Sequence, residues 1–124
     1  MASDNERLVS EFCKTWETLN IDKVMEFFTD DAAYTNIPIG TATGKAEIRK
    51  TIDGFMPGTT KIEFKILNTA CAGATVFNER VDITDLGGGK RMELPVAGVF
   101  EVNGGKIAKW RDYFDIAMAT KQMG

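Results

Sequence analysis

From Thr60 to Asp115 the chain alternates apolar and polar residues with a period of two, and this pattern restricts the fold more than any other feature. Ile62, Phe64 and Ile66 interleave with Lys61, Glu63 and Lys65. In a strand, that period sends one set of side chains to each face; in a helix it would scatter both sets around the axis. The spacing predicts strands over 60–72, 74–85, 91–102 and 106–115. Gly87-Gly88-Gly89 and Asn103-Gly104 supply hairpin turns, the second being a strong signal for a tight turn. Strands joined this way form an antiparallel meander.

The first sixty residues read as helices around one short strand. Ser3 is a candidate N-cap with Glu6 as its capping-box partner, ahead of Leu8, Phe12, Cys13, Trp16 and Leu19 at helical spacing. A second helix is expected over 22–28, with Val24, Met25 and Phe28 inward. A strand over 32–37 follows, broken by Pro38 and Gly40. A third helix over 45–55 carries Ile48, Ile52 and Phe55 on one side, and Met56-Pro57-Gly58 ends it. A short helix or tail closes the chain. Helices first and strands after them indicate an α+β fold, a curved sheet with helices over one face. At 124 residues, with 44% hydrophobic and 27% charged, one domain over 1–124 with a real core is expected.

Composition removes several function classes. The net charge of −3 suggests no nucleic-acid partner. No apolar run reaches membrane-spanning length, and MASDNERLVSEF carries no signal-like apolar stretch, so a cytoplasmic location is expected. There is no histidine, which excludes Ser-His-Asp and Cys-His catalysis and every His-metal site. Cys13 and Cys71 are expected as free thiols in such a chain.

The strands are interrupted by three polar pairs at i, i+2: Tyr34 with Asn36, Arg80 with Asp82, and Trp110 with Asp112. Each pair shares one strand face. Singly, each has an ordinary structural explanation, such as a core-edge tyrosine, a turn-forming asparagine or a cross-strand ion pair. Jointly they fall on the apolar parity that holds Met92, Leu94, Val96, Phe100 and Phe114, if the hairpins are in register. Glu79, Arg111 and Asp115 have the opposite parity and account for surface charge. Phe77, Val81, Ile83, Pro95, Ala97, Val99, Ile107 and Tyr113 also have it, which makes the outer face a candidate subunit interface. Two carboxylates around one buried guanidinium hold an acid and a base in a dry pocket and titrate as a coupled pair. That arrangement suits the addition of water across a strained bond, with a phenol and an amide holding the water.

At these residues the sequence resembles the limonene epoxide hydrolase family. The likeness lies in AAYTNIP at 32–38, NERVD at 78–82 and LPVAGVFEVNGGKIAKWRDYFD at 94–115, and it covers most of the chain from Leu8 on. The ordered combination of Y-x-N, R-x-D and W-R-D-Y-F-D is specific where any one piece is weak. The resemblance implies an antiparallel-rich mixed sheet shaped as a cone, shared with nuclear transport factor 2, ketosteroid isomerase and small polyketide cyclases. It implies a cofactor-independent reaction of a small apolar epoxide with water. Asp112 would be the general base, Asp82 the general acid and Arg80 the bridge between them. Tyr34 and Asn36 would position the water, and Trp110 would line the pocket. Met25, Phe28, Leu94, Val96, Phe100 and Phe114 are expected to complete its wall. A homodimer through the outer sheet face is also implied. The chain departs from the family in its short segment before Leu8.

Two other readings remain open at the level of sequence. An isomerase or cyclase of the same fold could use the two aspartates and the tyrosine, although an arginine locked between the carboxylates suits it less. A non-catalytic carrier could use the cone as a ligand pocket, but it has little use for two acids around one arginine. An epoxide hydrolase of the α/β-hydrolase type needs a histidine and a longer chain.

Overall fold

The computed structural model describes residues 3–123. Helix α1 (Asp4–Thr15) starts where expected. The Ser3 hydroxyl accepts the Glu6 backbone N–H at 3.1 Å, which satisfies an N-terminal donor that the helix itself cannot. Val9, Phe12 and Cys13 face inward from it, and a 3-10 turn over Trp16–Thr18 buries Trp16. The short helix α2 (Ile21–Met25) leads into strand β1 (Phe28–Asn36). Strand β2 (Gly40–Thr43) and helix α3 (Lys45–Phe55) follow. The long strands β3 (Lys61–Ala72), β4 (Thr75–Gly87), β5 (Lys90–Asn103) and β6 (Lys106–Tyr113) come next, and helix α4 (Ile116–Met123) closes the chain.

The six strands form one curved, unclosed sheet in the order β2-β1-β6-β5-β4-β3. All neighbours are antiparallel except β1 and β6, which run parallel. The hairpins keep the register that the parity argument needed. Arg80 pairs with Val96, Asp82 with Leu94 and Phe100 with Trp110, so these side chains share a face. The main core lies between that face and the N-terminal helices. Phe12 is its centre, meeting Trp16, Phe27, Phe28, Phe100 and Trp110 edge to face with centroids 5.0–6.1 Å apart, a favoured aromatic geometry.

Three details correct the sequence reading. The second helix ends at Met25, and β1 begins at Phe28 rather than Ala32. Its first half contains Asp30 and Asp31, poor strand formers that mask the pairing, and the register with β6 is irregular between Phe28 and Ala33. Strand β2 was not expected. Its four residues, GTAT, are too few for a period to show, yet they pair with β1 from Asn36↔Gly40 to Ala33↔Thr43. Gly44, at φ +86, then turns the chain into α3, a conformation natural to glycine. Finally, Ile107 is not on the outer face. A register shift between Glu101 and Val102 reverses the parity there, and Ile107 is fully buried in the core. Ile83 is buried too, whereas Phe77 and Tyr113 stay exposed on the outer side.

Candidate active site

The site is built on three strands that chain order keeps apart. Parallel pairing sets Tyr34 of β1 beside Trp110 of β6, and Asn36 beside Asp112. The Tyr34 ring stacks on Trp110 at 4.1 Å and 14°, and its hydroxyl donates to Asn36 Oδ1 at 3.2 Å. The Ile37 N–H donates to the Asp112 carbonyl at 2.9 Å, which fixes where β1 ends against the carboxylate.

Arg80, on β4, is 1% exposed. Its Nε and Nη2 donate to the two oxygens of Asp82, each at 2.9 Å. Nη2 also donates to Asp112 Oδ2 at 2.9 Å, and Nη1 to Asp112 Oδ1 at 3.2 Å. The guanidinium carbon lies 4.9 Å from the Phe64 ring centre, within cation–π range. Trp110 Nε1 adds a 2.7 Å hydrogen bond to Asp112 Oδ1. Every oxygen of both aspartates is thus held by a donor. Such charge-assisted, two-pronged contacts are the strongest that side chains make.

Burial and charge compete at each group. Asp112 is pushed from 3.8 up to about 6: burial raises it most, Arg80 opposes, and Asp82 adds to the rise. Asp82 is raised as well, by burial, against the pull of Arg80. Burial works against the Arg80 charge, but the two aspartates hold it firmly protonated. The Tyr34 phenol is raised by burial and by Asp112, so it stays a neutral donor and acceptor. An acid–base pair with one member near neutrality can exchange protons in both directions at ordinary pH.

A cavity of about 290 Å³ opens over these groups, at the small end for organic ligands. Tyr34, Asn36, Asp82, Asp112 and Trp110 line it, as do Leu94, Val96 and Phe114. The remaining expected wall residues do not. Met25, Phe28 and Phe100 are buried in the main core, and Phe28 and Phe100 stack against Trp110. Their apolar spacing marked burial correctly, but burial alone does not separate a core side chain from a cavity side chain. Sequence reasoning also missed wall residues. Trp16, Phe55 and Phe64 close one side, and Ile116, Ala119 and Met123 of α4 another. It missed Asn78 as well, a buried residue that accepts from Arg80 Nη1 at 3.0 Å. The signal was present, because Asn78 stands two residues before Arg80 on the same parity.

Residues 3–123 match the model of the limonene-1,2-epoxide hydrolase catalytic domain. The chain belongs to that family. It is 34% identical over 108 residues to epoxide hydrolase EphG of Mycobacterium tuberculosis, covering 87% of this chain and 71% of the relative. A solved epoxide hydrolase of this family's type from M. tuberculosis superposes with a TM-score of 0.83 at 32% identity, covering 96% of this chain and 88% of that one. A SnoaL-like polyketide cyclase structure from Shewanella putrefaciens gives 0.86 at only 14% identity, over 99% and 98%, a likeness of fold alone. No helix among the described residues is long and apolar enough to cross a membrane.

Proposed function

We propose that this epoxide hydrolase adds water to an apolar epoxide in one step, giving a vicinal diol by paired acid and base catalysis. The observation that carries the reading is the clamp of Arg80 on Asp82 and Asp112, both of which reach the cavity. With both carboxylates ionised the trio bears a net negative charge in a largely buried site. One shared proton removes it, and burial favours that state.

Donor and acceptor counting supports an orientation for the water. Asn36 Oδ1 is taken by the Tyr34 hydroxyl, so the Asn36 amide N–H groups are left to donate. A water between them gives one hydrogen to Asp112 and one to the Tyr34 oxygen, and accepts one from Asn36. Its remaining lone pair faces the epoxide. Asp112 takes the proton as the water oxygen bonds to an epoxide carbon. The C–O bond breaks, its electrons pass to the epoxide oxygen, and Asp82 protonates that oxygen. Asp112 ends protonated and Asp82 ionised, and the proton returns within the pair that Arg80 keeps aligned. No covalent intermediate forms and no cofactor takes part. The apolar walls at Leu94, Val96 and Phe114 fit a hydrocarbon substrate.

The test is diol formation from a panel of cyclic, aryl and aliphatic epoxides in ¹⁸O-water, with Asp112→Asn alongside. Expected are labelled diol from the parent in a single turnover, no label in the protein, and loss of activity in the variant. Activity retained in Asp112→Asn, or label in an aspartate, overturns the reading. No diol from any epoxide turns it toward an isomerase, a cyclase or a carrier.

We extend the reading to a homodimer through the outer sheet face, where Phe77 and Tyr113 are exposed beside Pro95 and Ala97. Sedimentation that gives a monomer would reject it.

A further inference from the structure

Arg80 carries more than the two carboxylates need. A guanidinium has five N–H groups and no acceptor. Four of the five go to the oxygens of Asp82 and Asp112. The fifth, on Nη1, goes to Asn78 Oδ1 at 3.0 Å. Because Arg80 can only donate, Asn78 must meet it with oxygen, and its Nδ2 then donates to Cys13 Sγ on α1 at 3.7 Å. Burial pushes the Cys13 thiol up to about 12 against the pull of Arg80, so this side of the guanidinium is neutral.

Arg80 on β4 must also cross β5 to reach Asp112 on β6. The residue it crosses is Gly98, which pairs with Asn78 on one side and Asp112 on the other. A Cβ at Gly98 would stand 2.4 Å from Nη1 and 2.8 Å from Asn78 Oδ1, well inside contact distance. The missing side chain is the window through which Nη1 divides its hydrogens between an amide and a carboxylate.

We propose that Asn78 is a positioning residue that, through the Gly98 window, sets the share of Arg80 given to Asp112 and so tunes Asp112 as a base. This rests on the acid–base reading above. The charged and titratable groups facing Asp112 are Arg80 and Asp82 from β4, Tyr34 from β1 and Cys13 from α1, while β5 presents Gly98 and Phe100 there. Asn78 is a neutral acceptor among them. Without it, Nη1 turns wholly to Asp112 and favours its ionised, weakly basic form. With a negative charge in its place, Arg80 is drawn away and Asp112 holds its proton more tightly.

Two near-isosteric variants therefore shift the pH dependence in opposite directions. In Asn78→Leu, kcat falls by roughly 10-fold, KM stays within about twofold, and the acidic limb of the rate profile moves down by about half a pH unit. In Asn78→Asp the same limb moves up by a similar amount. The measurement is kcat and kcat/KM for diol formation against pH, with thermal unfolding as a check on folding. Limbs that stay at the wild-type pH in folded variants, or that move in the same direction, overturn the proposal, even if activity is lower. If Asn78→Leu does not fold, Asn78→Asp alone decides by the upward shift. The Asp112→Asn control separates the two levels. If it keeps diol formation, the acid–base reading fails. If it is inactive while the Asn78 limbs stay fixed, only the role of Asn78 fails.

Discussion

Behind one wall of the cavity, Arg80 is held by five hydrogen bonds to partners on β4 and β6. On another wall, α4 is fastened to β5 by a few contacts near its end. Gln122 Oε1 accepts the Glu93 N–H at 2.7 Å, and Nε2 donates to the Glu93 carbonyl at 3.0 Å. Lys90 donates to the Met123 carbonyl at 3.1 Å. Asp115 caps the start of the helix through the Met118 N–H at 3.1 Å. The Gln122 amide imitates a neighbouring strand on a stretch of β5 that β6 does not reach, since the last β5–β6 pair is Ala97↔Tyr113. The contrast divides the labour. The polar groups of the candidate site sit where sheet register places them, whereas one wall of the pocket is formed by a helix with few polar ties to the sheet.

The sharpest way to break this contrast is Arg80→Lys. An ammonium offers three hydrogens from one point and cannot reproduce a planar fork across two carboxylates and an amide. The expected result is a loss in kcat on the order of 10³-fold with KM little changed. A rise in KM instead would mean that the polar wall mainly binds. Gln122→Ala probes the other side. Removal of its two hydrogen bonds should cost about 1 kcal/mol or slightly more, raise KM for apolar epoxides by roughly 3- to 10-fold, and leave kcat within about twofold. Hydrogen exchange over 116–123 should rise. A fall in kcat alone would place α4 in the chemistry and erase the distinction.

The third test concerns stability rather than turnover. Asp112 has its folded-state pKa raised from 3.8 to about 6. Between those values the folded protein keeps a proton that the unfolded chain has released, so rising pH favours unfolding. Wild type should lose stability relative to Asp112→Asn from about pH 4 to about pH 6 and then level off. Urea unfolding of both proteins across that range measures it. A flat difference would mean that the raised pKa does not describe the folded site.

Much of this was legible in the sequence because strands encode side-chain direction with a period of two. Arg80, Asp82, Trp110 and Asp112 could be assigned to one face from parity once in-register hairpins were assumed, and the pairs Asp82↔Leu94 and Gly98↔Asp112 meet that assumption. Long helices were legible for a similar reason, from the spacing of Ile48 and Ile52 or of Phe12 and Trp16. What failed was whatever depends on contacts without a period. Strand β2 has too few residues to show alternation, and β1 hides its start behind two aspartates. Ile107 changed face because one bulge shifts every parity beyond it. Met25, Phe28 and Phe100 are as apolar as true wall residues, and only packing separates the two groups. The role of Gly98 as a window could not be read from the residue itself, because what matters is the arginine that crosses it.

The parallel pairing of β1 with β6 has a kinetic consequence. Asn36 meets Asp112 only when the first strand finds the last, a contact between distant parts of the chain that carries a large loop-closure cost. The β3–β6 hairpins can close locally and early, and the helices earlier still. A refolding chain should therefore regain most of its circular dichroism before it regains turnover. A nascent chain that has not yet added β6 would expose an unpaired edge on β5 and lack Asp112, a stage open to misassociation.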